Sequence, residues 1–109
     1  MNLTFTGRHL DLTAGLKSHA TDKMKHLESH FDKAMSADII LSVEKTRQIA
    51  EATLHVPHHA NFHASAETED MYASIDMMVK KLETQIQRRK EKELSERKHG
   101  DHGNHDDRD

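Results

Sequence analysis

Cysteine and tryptophan are absent from this 109-residue chain, and glycine and proline are scarce, with four glycines and one proline. The absence of cysteine excludes disulfide bonds and thiolate metal sites, and it is typical of a reducing compartment. The few glycines cannot form a phosphate-binding loop or a GxGxxG motif where they occur, and no GxSxG motif is present. The sequence therefore lacks the common catalytic motifs, and we predict a protein that is not an enzyme.

Long hydrophobic runs are missing as well. The chain nowhere has the roughly 18 consecutive apolar residues of a membrane helix, and its first residues lack the basic start and apolar run of a secretory signal. Hydrophobic residues make up 34% and charged residues 32% of the chain, which leaves a modest core for the one domain that this length allows. We expect a soluble, cytoplasmic protein without a membrane partner.

The distribution of charge is more informative than its sum. The formal net charge of -3 argues at first against a nucleic-acid partner, because proteins that bind RNA are commonly basic. Residues 1–79 have a net charge of -4, residues 80–98 of +4 and residues 99–109 of -3. Such a local positive field can bind RNA where the protein docks, while the acidic remainder limits unspecific contacts.

Apolar residues recur at two different periods along the chain. Alternation over Leu3–Gly7 predicts a first strand, and three later alternating segments predict short strands with one apolar face each. Helical spacing predicts one helix that begins after an N-cap at Thr13 and a second helix that begins at Met71. The three later strands centre on residues 39–43, 52–56 and 62–66. The predicted element order is therefore β-α-β-β-β-α.

The links between these elements restrict the topology. Short links at residues 45–48 and 57–61 join the last three strands and predict an antiparallel meander. The first helix is a crossover that favours parallel pairing of the first two strands. Both helices then cover one face of a four-stranded sheet, which gives an α+β fold in a two-layer sandwich. We assign residues 1–95 to this domain and residues 96–109 to a charged, histidine-rich tail that we expect to be disordered.

Polar rows flank the apolar face of both predicted helices. The row of the second helix consists of Lys81, Gln85, Arg88 and Lys92, at i, i+4, i+7 and i+11. Three acidic residues of the same helix point elsewhere, namely Asp76, Glu83 and Glu91. The row of the first helix consists of His19, Lys23, His26, His30 and Lys33. The residues alone leave two interpretations open, a surface that binds phosphates or an ordinary solvated helix face.

The histidines raise the question of a metal site. His26 and His30 have the i, i+4 spacing of paired zinc ligands, but no glutamate completes an HExxH motif. Eleven histidines in the chain make such pairs common by chance. We therefore predict no metal site and no cofactor, with a histidine-rich metal-binding protein as an alternative.

The segment Asp70–Asp76, which reads DMYASID, closely resembles the hibernation-promoting factor and ribosome-associated inhibitor family of bacteria. Further matches occur in the family's order over residues 1–92. They are Leu3–Gly7, Leu27-Glu28 with Phe31-Asp32, Val43–Lys45 and Ala52–Val56. The resemblance implies a β-α-β-β-β-α domain that lies on the small ribosomal subunit where messenger and transfer RNA would bind. It also implies inhibition of translation in resting or stressed cells.

The resemblance further implies a set of rRNA-binding residues, although Ser42 and Thr84 occupy positions where relatives carry cations. The matching basic residues are Lys17, Lys23, Lys81, Arg88, Lys90 and Lys92. The implied partners are the 16S rRNA of the small subunit and a ribosome modulation factor, with no small-molecule substrate. The length resembles that of the family's short form. A free double-stranded RNA-binding module, which has a similar α+β architecture, is the other alternative.

Overall fold

Six regular elements follow one another in the computed structural model, which describes residues 1–29, 35–58 and 60–98, with side chains up to residue 92. They are β1 (Asn2–Arg8), α1 (Ala14–Glu28), β2 (Ser36–Glu44), β3 (Arg47–His55), β4 (Phe62–Thr68) and α2 (Met71–Lys98). This order confirms the predicted β-α-β-β-β-α arrangement. The greater part of the predicted tail, residues 99–109, lies outside the described residues.

The four strands form one mixed sheet in the order β1-β2-β3-β4. β1 pairs with β2 in parallel, from Asn2 opposite Ser36 to Arg8 opposite Ser42, because the crossover through α1 returns the chain to the same end of the sheet. β2, β3 and β4 pair in antiparallel fashion, as the short links predict. β1 and β4 are therefore the two edge strands.

The β2–β3 hairpin is tighter than the sequence predicts. Its link was predicted to span residues 45–48, but Glu44 pairs with Arg47 and leaves two residues between the strands. Lys45 adopts a left-handed backbone with φ of 57°, as two-residue hairpin turns require at their first position. The prediction was wrong here because apolar alternation does not mark the polar end of a strand.

The core lies between one face of the sheet and the two helices. α2 packs mainly on β3 and β4, where the helix-facing positions are small. These positions are Ala50, Ala52, Ala64 and Ala66, each at most 5% exposed. Small side chains in the sheet let α2 approach closely and bury Met78, Leu82 and Ile86 completely. Burial of each such side chain contributes roughly 1.5–3 kcal/mol to the free energy of folding.

Both helices begin with polar side chains that satisfy backbone groups. The Thr13 Oγ1 accepts a hydrogen bond from the Leu16 N–H at 3.1 Å, which confirms the predicted N-cap of α1. At the start of α2, the Asp70 carboxylate accepts from the Tyr72 N–H at 3.2 Å.

Within the described ranges, neither helix is long and apolar enough to cross a membrane.

A buried serine fixes the first turn of α2 to the sheet. Ser74 is fully buried, and its hydroxyl donates to the Gln48 carbonyl oxygen at 2.6 Å and lies 2.8 Å from the Thr68 Oγ1. Buried polar groups need such partners, because an unpaired one costs about 1–3 kcal/mol. Ser74 therefore sets where α2 crosses β3 and β4, and with it the position of every side chain further along the helix.

Candidate nucleic-acid interface

The polar row of α2 lies along the free edge of β4. The Lys81 Nζ donates a hydrogen bond to the Ser65 carbonyl oxygen at 2.7 Å. One turn later, the Gln85 Nε2 donates to the His63 carbonyl oxygen at 2.7 Å. Arg88 is the next member along the same flank, and Lys92 is the last. We call these four residues, Lys81, Gln85, Arg88 and Lys92, the β4-edge row.

The periods of helix and strand explain why two successive contacts form. Four residues of an α-helix advance about 6 Å, and two residues of a strand advance about 6.6 Å. Alternate residues of β4 point their carbonyl groups away from β3, so each helical turn meets the next outward carbonyl. The contacts cover an edge that would otherwise offer unpaired backbone groups to another strand.

The basic surface of α2 extends toward the start of β4. The Arg89 guanidinium lies over the ring of Phe62, with 4.9 Å between the guanidinium carbon and the ring centroid. Phe62 itself is 3% exposed and belongs to the core. This cation–π contact holds a fifth positive or polar group beside the β4-edge row. The sequence pattern gave no signal for this contact between Arg89 and Phe62.

The opposite flank of α2 faces α1 and has a different charge arrangement. The Asp76 Oδ1 lies 2.7 Å from the His19 Nε2 and 3.8 Å from the Lys23 Nζ. The His19 ring also contacts the Tyr72 ring edge to face, with centroids 5.0 Å apart. Asp76 thus points away from the β4-edge row, as expected from its helical position. We call His19, Lys23, Tyr72 and Asp76 the interhelical cluster.

The six predicted rRNA-binding residues do not share one surface. Lys81, Arg88 and Lys92 are exposed on the β4 side of α2. Lys90 follows Lys81 by nine residues, which is about 180° around the helix, and it is half-buried on the side of α2 that faces α1. The structure therefore brings three of the four predicted cations of α2 together.

The predicted cations of α1 are likewise divided. Lys23 belongs to the interhelical cluster and reaches Asp76. Lys17 lies two residues before His19, roughly 160° away around the helix, and is exposed on the side turned away from α2. In the predicted row of this helix, His26 is exposed, whereas His30 and Lys33 lie outside the described residues.

A concave surface lies at the end of the sheet that carries the β2–β3 hairpin. Its volume is about 720 Å³, and His9, Val43, Glu44, Lys45 and Arg47 line it. Arg47 pairs with Glu44 at 2.7 Å and with Glu67 at 3.4 Å. Arg47 therefore joins the end of the β2–β3 hairpin to β4 through two ion pairs at the surface.

Metal binding gains no geometric support in the described part of the chain. No three side chains of the types histidine, cysteine, aspartate and glutamate come together there in a group that could hold a metal ion. Histidine and carboxylate side chains meet there in pairs, His19 with Asp76 at 2.7 Å and His55 with Asp38 at 3.2 Å. His26 and His30 have the spacing of paired zinc ligands in the sequence, and His30 lies outside the described residues.

Comparison with known proteins identifies the relatives of this arrangement. Residues 3–93 match the profile of a family described as sigma 54 modulation protein / S30EA ribosomal protein. A ribosome hibernation promoting factor of Azotobacter vinelandii is 44% identical over 100 residues, which cover 92% of each chain. The protein of the same name from Escherichia coli strain K12 is 40% identical over 92 residues, which cover 84% of this chain and 96% of that protein.

Solved structures share the fold. The N-terminal domain of Thermus thermophilus Protein Y superposes with a TM-score of 0.77 and 30% identity, over 81% of this chain and 98% of that domain. A ribosomal subunit interface protein from Coxiella burnetii superposes with a TM-score of 0.73 and 27% identity, over 83% of this chain and 98% of that protein. The fold and the family expected from the sequence are both confirmed.

Proposed function

The chain belongs to the sigma 54 modulation protein / S30EA ribosomal protein family, and on that basis we propose that it is a ribosome hibernation factor. It binds the 16S rRNA of the small ribosomal subunit in the channel for messenger and transfer RNA, and it inhibits translation in resting or stressed cells. The names of the relatives, ribosome hibernation promoting factors and a ribosomal subunit interface protein, support this assignment.

The observation that carries the proposal is the β4-edge row. Its cations are held on a rigid helix, and the Lys81 ammonium and the Gln85 amide are oriented by backbone carbonyls of β4. A carbonyl oxygen accepts a hydrogen bond without neutralising the ammonium, so the charge of Lys81 remains available to a phosphate. The row extends about 16 Å along the helix, which matches several steps of a nucleic-acid backbone.

Binding by such a row is electrostatic and involves no chemical step. Each lysine or arginine that contacts a phosphate releases condensed counterions from the RNA, and this release provides much of the affinity. Once bound, the domain occupies the space of messenger and transfer RNA and excludes both. The protein requires no cofactor or small-molecule substrate for this role, and it acts as an inhibitor by steric exclusion rather than as an enzyme.

The remaining predicted cations make smaller contributions in this proposal. Lys17 and Lys23 of α1 and Lys90 of α2 contact rRNA from other surfaces of the domain, as expected when a small protein fills a channel with RNA on several sides. Lys23 contributes less than its charge suggests, because Asp76 lies 3.8 Å from its ammonium. The β4-edge row therefore provides the main contact.

We assign ribosome binding to residues 1–95 and place the charged, histidine-rich residues 96–109 outside the binding domain. The protein acts in the cytoplasm, where ribosomes are found. A ribosome modulation factor is the further partner that we propose.

Co-sedimentation with purified small subunits tests the proposal directly. We expect the protein to pellet with the subunits. When messenger fragments and transfer RNA are bound to the subunits beforehand, we expect a smaller fraction of the protein to pellet. Binding that is unaffected by these RNAs would place the protein outside the channel. A protein that binds free duplex RNA as tightly as small subunits would be a general double-stranded RNA-binding module instead.

A further inference from the structure

Gln85 is the uncharged member of the β4-edge row. Lys81 precedes it by one helical turn, and Arg88 follows it by slightly less than one turn. These separations correspond to about 6 Å and about 4.5 Å along the helix axis. The row thus alternates cation, amide and cation, an order that a purely electrostatic function does not explain.

The contact with β4 fixes which end of the Gln85 amide is available. Its partner, the His63 carbonyl oxygen, only accepts hydrogen bonds, so the Nε2 must be the atom that faces it, at 2.7 Å. The Oε1 consequently remains as an acceptor on a side chain that is half-buried and held in place. Lysine and arginine side chains have donors alone, so Gln85 adds the one kind of group that its neighbours in the row lack.

An RNA strand presents groups in a matching order. Phosphates alternate with riboses along the backbone, and each ribose carries a 2′-hydroxyl that can donate a hydrogen bond. When Lys81 and Arg88 bind phosphates of one strand, a ribose between those phosphates lies beside Gln85. The 2′-hydroxyl is the group of that ribose that distinguishes RNA from DNA.

We propose that the Gln85 Oε1 accepts a hydrogen bond from a ribose 2′-hydroxyl and makes the β4-edge row selective for RNA over DNA. This inference rests on the proposed function, since it requires that the row contact rRNA. It assigns Gln85 a role in specificity, whereas the cations of the row provide affinity. DNA bound in the same way leaves the Oε1 without its partner, which lowers affinity about 3- to 10-fold for one such hydrogen bond.

Oligonucleotide binding measured by fluorescence anisotropy tests this role. The probes are one single-stranded RNA, the DNA of the same sequence, and the RNA with 2′-O-methyl groups, which lacks the hydroxyl donor. The variants are Gln85→Met, which keeps the side-chain length without the amide, and the matched control Gln87→Met. Gln87 is exposed and lies about 160° away from Gln85, on the opposite side of α2 from the row.

We expect the unsubstituted protein and Gln87→Met to prefer RNA over both other probes about 3- to 10-fold. Gln85→Met should bind RNA as weakly as DNA and should bind small subunits more weakly by a similar factor. If the unsubstituted protein binds RNA, DNA and the methylated RNA with equal affinity, this result alone would overturn the inference. A preference for RNA that survives in Gln85→Met would overturn it as well.

The proposed function and this inference fail in distinguishable ways. An unsubstituted protein that does not pellet with small subunits contradicts the proposed function, whatever its preference among oligonucleotides. A protein that pellets with small subunits but shows no dependence on the 2′-hydroxyl contradicts the role of Gln85 alone. Thermal unfolding of both variants verifies that neither substitution changes the fold.

Discussion

The flank of α2 that follows β4 and the flank that faces α1 both hold polar side chains in fixed positions, but they do so with different partners. Lys81 and Gln85 donate to backbone carbonyls of β4, whereas His19 and Lys23 lie against the Asp76 carboxylate. A carbonyl orients a cation and leaves its charge uncompensated. A carboxylate orients a cation and offsets its charge.

Cations on one helix pair therefore need not contribute equally to RNA binding. The interhelical cluster joins α1 to α2, and its Asp76 carboxylate offsets the positive charge of Lys23 within the molecule. In the β4-edge row, backbone carbonyls orient Lys81 and Gln85 without offsetting the positive charge of the row, which can therefore bind an external phosphate. We therefore expect loss of cations from the β4-edge row to weaken RNA binding, and loss of the Asp76 carboxylate from the interhelical cluster to strengthen it.

Charge reversal along the row should have the largest effect. We expect Lys81→Glu, Arg88→Glu and Lys92→Glu together to reduce affinity for small subunits on the order of 100-fold or more, because three favourable phosphate contacts become repulsive. The fold should persist, since all three side chains are exposed. Equilibrium binding and circular dichroism measure the two properties.

A matched variant separates the row from total charge. Arg8→Glu, Lys25→Glu and Lys45→Glu make the same change in net charge on exposed residues outside the row. We expect this control to bind at least tenfold more tightly than the row variant, an order-of-magnitude difference from the lost direct contacts. Equal affinities would show that overall charge, and not the row, determines binding.

Replacement of Ser74, which anchors the first turn of α2, should lower the stability of the fold and thereby affect both flanks of the helix. We expect Ser74→Val to reduce the free energy of unfolding by about 1–3 kcal/mol, because the fully buried Ser74 hydroxyl is lost and the Gln48 carbonyl loses its donor. Chemical denaturation measures this change, and Ser65→Val, at an exposed position of β4, is a control with the same substitution. Equal stability of the two variants would show that Ser74 does not anchor α2.

Neutralising Asp76, the acidic member of the interhelical cluster, should change affinity in the opposite direction from substitutions in the β4-edge row. We expect Asp76→Asn to increase affinity for small subunits about two- to fivefold, since Lys23 and His19 lose their internal anion. Stability should decrease by less than about 1 kcal/mol, because Asp76 is about half exposed and solvent screens the pair. Weaker binding by a folded variant would mean that the cluster supports the RNA contact.

The smallest effect is expected at Lys90. Lys90→Ala should reduce affinity less than about twofold, whereas Lys92→Ala, two residues away in the row, should reduce it about three- to tenfold. Both substitutions remove one charge from the same helix, so each is the control for the other. A larger loss from Lys90→Ala would place the main RNA contact on the side of α2 that faces α1.

The sequence predicted the fold well because the fold depends on local patterns. Alternation identified all four strands, and helical spacing with Thr13 identified the start of α1. The link between β2 and β3 was predicted too long, since residues 44 and 47 are polar and carry no sign of strand pairing. Element order then fixed the sheet, because few topologies fit two helices and four short strands.

The site could be predicted only in part, because it depends on which elements become neighbours. Helical spacing identified the row of α2, but its contacts with Ser65 and His63 follow from β4 being the edge strand. The pairing of Asp76 with Lys23 and the placement of Lys90 on the other flank likewise require the packing of α2 against α1. No single helix contains that information.

The dependence of small-subunit affinity on salt tests most directly whether the β4-edge row binds rRNA phosphates. The measurement compares the unsubstituted protein with the neutral variant Lys81→Met, Arg88→Met and Lys92→Met between about 50 and 200 mM salt. We predict that the slope of log affinity against log salt becomes shallower by about 2–3, at roughly 0.7–0.9 for each lost phosphate contact. An unchanged slope in a folded variant would contradict it.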